Sequence, residues 1–260
     1  MNSSLPTLFI SHGSPMLALQ DSPARRFLER LGRELPRPDA ILVVSAHWET
    51  PDVPALSLAE HPETIHDFRG FPPELFAMQY PAPGAPQLAA RAAAMLQQAG
   101  FAVRQSATRG LDHGAWVPLR LMFPEADIPV TQLSLVHGAT PAEHFRLGQA
   151  IAALRAENVL LIGSGSMTHN LHELRREGVD APAPAWVTEF TAWMDARLAA
   201  GEHEALLDYR RRAPHAADNH PSEEHLLPLF VALGAGGADA RRLHASVEYG
   251  VLAMDVYAFP

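Results

Sequence analysis

The chain has 260 residues and no cysteine. That absence excludes thiolate metal sites, cysteine nucleophiles, redox pairs and disulfides, and it fits a reducing, cytoplasmic setting. No apolar run approaches the ~20 residues that cross a bilayer. Met1–Pro6 lacks the basic stretch followed by an apolar core that marks a secretory leader. Basic clusters are equally scarce. The densest, Arg210-Arg211-Arg212, is too short to track a phosphate backbone, and the formal net charge is −9, so no nucleic-acid partner is expected. The triplet reads as a solvated helix end. A Gly-x-Ser-x-Gly elbow is missing, which disfavours a serine hydrolase. Gly163-Ser164-Gly165-Ser166 lacks the lysine and spacing of a P-loop and is at most a weak anion cradle.

What the chain does have is histidine, 14 of them, in a composition otherwise ordinary for a globular protein at 47% hydrophobic and 19% charged. Histidine is the commonest metal ligand and the usual acid or base near neutral pH. A chain of this length buries most of its apolar surface without crosslinks. Neither a repeat nor a linker divides it, and one catalytic domain over residues 1–260 is expected.

Short apolar runs alternate with longer amphipathic ones, which predicts an α/β fold: a central, mostly parallel or mixed sheet flanked by helices. Strands are expected at Thr7–Ser11, Ala40–Ser45, Phe101–Gln105, Val130–Leu135 and Asn158–Gly163, with a short one at Leu56–Ala59. Helices are expected from Pro23 to about Leu35 behind an Asp21-Ser22 cap, and over Pro86–Gln98, Pro141–Ala156, Pro184–Ala200 and Glu202–Arg212. His244–Glu248 and Val251–Tyr257 read as a hairpin around Gly250. The proline-rich stretch from Thr50 to Pro86 is long for a connection inside a domain, and such connections usually cover a site.

The histidines gain meaning from their places along these elements. His12 directly follows the first strand, His47 lies two residues past the strand ending at Ser45, and His169 follows the loop after the strand ending at Gly163. Ligands of open α/β sheets bind outside the carboxyl ends of the strands, so these three have a geometric reason to converge. A lone histidine after a strand is more often a hydrogen-bonded structural residue; three in Gly/Ser-containing turns shift that balance. His113 is expected in a loop, with Asp112 beside it to orient an imidazole. His225 lies at the start of an element. Either Ser222 caps a helix that Pro228 then kinks, or the helix begins near Leu227. Five residues earlier His220 competes with it. His66 is the one to keep among the others; His61, His137, His144, His172, His203, His215 and His244 read as surface, helix-face or packing residues.

At these residues the chain resembles the 4,5-DOPA extradiol dioxygenase type of the class III extradiol ring-cleavage family, related to the catalytic subunit of protocatechuate 4,5-dioxygenase. The resemblance runs over nearly the whole chain. It is carried by His12-Gly13-Ser14-Pro15, Ser45-Ala46-His47-Trp48, Thr64-Ile65-His66-Asp67-Phe68, Tyr80-Pro81-Ala82-Pro83-Gly84, Asp112-His113-Gly114, His169-Asn170-Leu171, and Glu224-His225 followed by Leu227-Pro228-Leu229. It implies a metal-dependent dioxygenase that uses O2 to open a catechol ring, DOPA-like or another small catechol, next to its two hydroxyls. His12, His47 and His225 are implied as ligands of one divalent metal at the strand carboxyl ends, with His225 in the place of a carboxylate used by wider relatives. His169 is implied as acid/base or fourth ligand, and His113 as a catalytic residue near substrate and oxygen. The segment Thr64–Tyr80 would wall the aromatic substrate.

Fe(II) is the metal expected for this activity. Neutral imidazoles suit Zn(II) as well, and zinc outranks iron(II) in intrinsic affinity, so Zn(II) is the metal expected to be found bound. Zinc has no accessible redox change. The alternatives are therefore a zinc-dependent hydrolase using metal-bound hydroxide, or a non-catalytic metal or small-molecule binder on the same fold.

Overall fold

β-Branched and leucine-rich segments with no charged interruption seed the sheet, and their alternating side chains divide the core in two. In β2 (Ala40–Thr50) Leu42 and Val44 face one apolar cluster, while Ile41 and Val43 face the other, as the two-residue period of a strand requires. The computed structural model describes residues 4–174, 178–237 and 239–260. Part of the N-terminal stretch read above for a leader therefore lies outside the described residues.

In chain order the strands are β1 (Thr7–Ser11), β2, β3 (Ala55–Ser57), β4 (Arg104–Ser106), β5 (Val130–Val136), β6 (Val159–Gly165), β7 (Arg241–His244), β8 (Val247–Glu248), β9 (Leu252–Ala253) and β10 (Val256–Phe259). The helices are α1 (Pro23–Glu34), α2 (Pro73–Ala77), α3 (Pro86–Gln98), α4 (His113–Met122), α5 (Pro141–Ile151), α6 (Ala185–Ala199), α7 (His203–Leu207), α8 (Tyr209–Arg212), α9 (Ala216–Asn219) and α10 (Leu227–Gly236). The main sheet runs β4-β3-β5-β2-β6-β1-β10-β7. Its centre, β5-β2-β6-β1, is parallel; β3 against β5, and β10 against β1 and β7, are antiparallel. The fold is thus α/β with a mixed sheet. α1 and α4 cover one face, and α3, α5, α6 and α10 cover the other.

Several boundaries differ from the sequence reading. The expected hairpin around Gly250 is only β8 with β9; the flanking β7 and β10 pair in the main sheet instead. The segment Glu202–Arg212 breaks at Asp208 into α7 and α8. The expected strands at Leu56–Ala59 and Phe101–Gln105 shift to β3 and β4, which pair with each other. More consequential for the site, β2 continues to Thr50 and β6 to Gly165.

α10 comes down directly on β6. A Cβ on Gly163 would stand 2.2 Å from the Pro228 carbonyl oxygen, and one on Gly165 would stand 2.0 Å from that of His225. Only glycine leaves room for this approach, and the His225 carbonyl accepts from the Ser166 N–H at 2.7 Å. Gly163-Ser164-Gly165-Ser166 is therefore a packing surface and not an anion cradle.

Candidate metal centre

Five chain segments bring histidines into one cluster at the carboxyl ends of the parallel strands. His12 leaves β1 with its N–H bonded to the Gly165 carbonyl at 2.9 Å, which fixes it over the end of β6. His47 lies inside β2 and not after it. β2 advances from Val44 to Glu49 while β5 advances only from Leu133 to Leu135, so Ser45–Trp48 bulge out of register. Such a bulge re-aims the side chains it carries. His113 is the first residue of α4, not a loop residue; Asp112 caps that helix by accepting the Ala115 N–H at 3.3 Å.

His225 precedes α10, which begins at Leu227 as the second sequence reading had it; Ser222 does not cap the helix but bonds Glu224. His169 is held through its N–H to the Asn219 carbonyl at 2.9 Å.

These five rings form one cluster. Ring centroids are 4.9 Å apart for His12 and His47, 5.6 Å for His12 and His225, 4.9 Å for His47 and His225, and 3.9 Å for His47 and His113. His169 stacks on His225 at 3.4 Å, tilted by only 8°. Potential ligand atoms gather in two sets, His12 with His47 and His113, and His225 with His169 and Glu224. His220 is not among them. Its Nε2 bonds the Met167 carbonyl, and it packs against Phe190 and Tyr209. His66 bonds the Met78 carbonyl and packs among Phe68, Phe76 and Trp116. The other histidines read as packing or surface residues lie outside both sets.

Hydrogen bonds set the tautomers of His12 and His225, and the nearby Asp67 carboxylate favours Nδ1–H in His47. His12 Nδ1 lies 3.0 Å from Ser164 Oγ, whose own proton goes to the Gly114 carbonyl, so His12 Nδ1 donates. His225 Nδ1 donates to Glu224 Oε1 at 3.0 Å, and His47 Nδ1 points to Asp67 Oδ2 at 3.5 Å. All three Nε2 atoms are then left with lone pairs. His12 Nε2 and His47 Nε2 face each other at 3.0 Å, and His225 Nε2 is buried without a hydrogen-bond partner. Two lone pairs at that distance repel, and a buried orphan acceptor is costly. A cation among them removes both penalties. The residues fit a divalent metal, and the Nδ1 partners are those that orient metal-bound imidazoles.

Burial is the main reason the cluster stays neutral. It holds His12 and His225 well below the ordinary imidazole value, reinforced by neighbouring imidazoles. It lowers His47 and His169 to about 4. Burial pushes Asp67 upwards, but hydrogen bonds from the His113 side chain and backbone outweigh it, and the carboxyl sits at about 2.

Asp67 and Glu224 appear in the sequence motifs without a role, and Ser164 only within Gly163-Ser164-Gly165-Ser166, as a weak anion cradle. The signal that finds them is chemical. A histidine ligand needs an acceptor for its second nitrogen, so an acidic or hydroxyl residue belongs beside each candidate. Asp112 does not orient His113. Its carboxylate binds Ser45, Arg109 and Gln132 instead.

Above the cluster lies a cavity of about 510 Å³, lined by His47, His113, His169 and His225 on one side and by Phe68, Phe71 and other largely apolar residues on the other. Part of the Thr64–Tyr80 segment thus walls it, as expected. A larger depression of about 940 Å³ between α1 and α4 contains none of the histidines. The candidate site is the smaller cavity, where the convergent, pKa-shifted groups lie.

Residues 6–259 match the family described as "Catalytic LigB subunit of aromatic ring-opening dioxygenase". The chain is 45% identical over 259 residues to 4,5-DOPA dioxygenase extradiol of Beta vulgaris, covering 97% of this chain and 96% of that one. It is 42% identical over 234 residues to the protein of the same name from Escherichia coli K12, covering 89% and 85%. A crystal structure of an uncharacterised protein from Escherichia coli K12 superposes with a TM-score of 0.82 at 35% identity, covering 98% of this chain and 100% of that chain.

Proposed function

The chain belongs to the family of the catalytic LigB subunit of aromatic ring-opening dioxygenases, and on that premise we propose that it opens the ring of a catechol with O2, using one divalent metal held by His12, His47 and His225. The whole chain, residues 1–260, acts as one catalytic domain. What supports the ligand set is the approach of the three rings, with centroids 4.9 Å, 5.6 Å and 4.9 Å apart, together with an acceptor beside each Nδ1.

When bound, iron(II) supplies the redox capacity and the open positions that hold a catecholate and oxygen together. The remaining work belongs to the protein. His169 lines the cavity and is neutral at pH 7, so it can accept a proton from a catechol hydroxyl. Glu224, which favours the charged form of His169, stabilises the imidazolium so formed. His113 meets Asp67 through Nδ1 at 2.9 Å, which orients its ring along the cavity wall. With His169 it can return a proton late in ring opening. Phe68 and Phe71 exclude water and flank the ring.

The test is anaerobic reconstitution with iron(II), followed by oxygen uptake with a panel of catechols. Stoichiometric uptake with a ring-opened product is expected. Absence of uptake with every catechol, together with ester or amide cleavage by zinc-loaded protein, would replace this reading with a zinc hydrolase.

A further inference from the structure

The cavity is larger than a bare catechol ring needs, and what fills the surplus is written in its mouth. Beyond the histidines the wall is built mainly from Met16, Phe68, Phe71, Leu171, Leu174 and Tyr249. Leu171 and Leu174 are 52% and 41% exposed, a pair of large apolar side chains left open at the rim of a cavity. Exposed apolar surface of this kind marks a binding surface when it borders a site. Among the described residues, two charged side chains join the lining, Asp67 and Arg69. The carboxylate of Asp67 is occupied by the His113 side chain and N–H, and faces His47. Arg69 makes no such contact among the described residues, and its neighbours in sequence, Phe68 and Phe71, form the aromatic wall.

We propose that this mouth selects catechols bearing an anionic substituent, with the Arg69 guanidinium receiving its carboxylate. The inference rests on the dioxygenase reading above and names its substrate class. The catechol hydroxyls must lie at the histidine cluster, which turns the opposite edge of the ring towards the mouth. A short aliphatic arm there lies along Leu171 and Leu174, and its terminal carboxylate meets the planar, two-pronged guanidinium that matches it in shape and charge. A terminal ammonium on the same arm meets repulsion instead.

The experiment compares 3-(3,4-dihydroxyphenyl)propanoate, 4-ethylcatechol and dopamine as anionic, neutral and cationic forms of one shape, on iron-loaded protein. The expected KM rises in that order. In Arg69→Met the ratio of KM for the anionic to the neutral compound rises about threefold, the scale of an ion pair at an exposed arginine. In Arg69→Glu the preference turns towards dopamine. Calorimetric titration of zinc-loaded protein with the same compounds under nitrogen should give the same order of affinities. An anionic-to-neutral ratio unchanged in Arg69→Met, by KM and by calorimetry, overturns the proposal. Should iron-loaded protein consume none of the three, the wider catechol panel decides the dioxygenase reading, and the calorimetric order alone decides the role of Arg69.

Discussion

Arg109 donates from Nη2 both to the Asp112 carboxylate at 2.7 Å and to the His47 carbonyl at 3.2 Å. Its guanidinium also lies over the Trp48 ring. Asp112 is wholly buried and accepts in addition from Ser45 Oγ at 2.6 Å and Gln132 Nε2 at 2.9 Å. One carboxylate therefore ties the β2 bulge that carries His47 to the start of α4 that carries His113. Asp112→Ala should cost about 3–5 kcal/mol, because the Arg109 charge loses its partner in a buried site. Urea unfolding of the metal-free protein measures it. A midpoint within error of the parent would show that the network contributes no stability.

Asp67 plays the corresponding part on the cavity side, since its two oxygens address His113 at 2.9 Å and His47 at 3.5 Å. Asp67→Ala frees both rings and should weaken metal binding about 10- to 100-fold, the usual effect of removing an outer partner of a histidine ligand. Competition with a chromophoric chelator reads this directly. Unaltered affinity would mean that the His47 ring is oriented by its bulge alone.

The sheet was legible in the sequence because buried parallel strands are continuous apolar runs, and β1, β5 and the start of β2 fall within a residue or so of expectation. The irregular parts were not. Nothing in Ser45-Ala46-His47-Trp48 announces a bulge; the buried carboxylate that accepts from Ser45 there lies 67 residues away in sequence, at Asp112. His12, His47 and His169 could be placed from strand ends. His225 could not, because Pro228 made the helix start ambiguous and His220 looked equivalent; burial of His220 against Phe190 and Tyr209 is a tertiary fact. The resemblance to a family, not periodicity, singled out His225.

Gly114 sits beneath the cluster. A Cβ there would stand 2.5 Å from Ser45 Oγ, 3.0 Å from His47 Cδ2 and 3.1 Å from His12 Cε1. Gly114→Ala should therefore push apart two of the proposed ligands while keeping every donor atom. The expected outcome is a folded protein with reduced metal affinity and, after loading with cobalt(II), an altered visible spectrum. An unchanged spectrum would show that α4 shifts as a body and leaves the cluster intact.

The metal-free protein should lose stability in mild acid. His47, His169 and His220 are held at about 4, and His12 and His225 well below 6.5, in each case chiefly by burial. Their depressed folded values mean that the unfolded chain binds more protons below pH 6.5, so stability falls as pH drops from there through about 4. Asp255 runs the other way. Burial raises it to about 7, so its contribution is present at low pH and is lost as pH rises from its ordinary 3.8 to that value. Several imidazoles outweigh one carboxyl, and Tm should rise by at least several degrees between about pH 5 and about pH 7. Asp255→Asn should make the slope steeper. A slope of opposite sign would contradict the neutral, buried cluster.

His225 and His169 stack on each other, yet the proposed mechanism gives them different roles, and their alanine variants should separate. His225→Ala removes one of the three inward Nε2 lone pairs and leaves Glu224 without its imidazole partner. Metal measured after dialysis should fall far below one equivalent. His169→Ala leaves the Nδ1 partners of His12, His47 and His225 in place. It should keep most of its metal but lose turnover by roughly 10²- to 10⁴-fold, the range for loss of a general acid or base. Stoichiometric metal in His225→Ala would remove it from the ligand set. Metal loss in His169→Ala equal to that in His225→Ala would instead make His169 a ligand in its own right, and undiminished turnover would exclude it from proton transfer. The two measurements together therefore distinguish a three-histidine centre with a separate base from a four-histidine one.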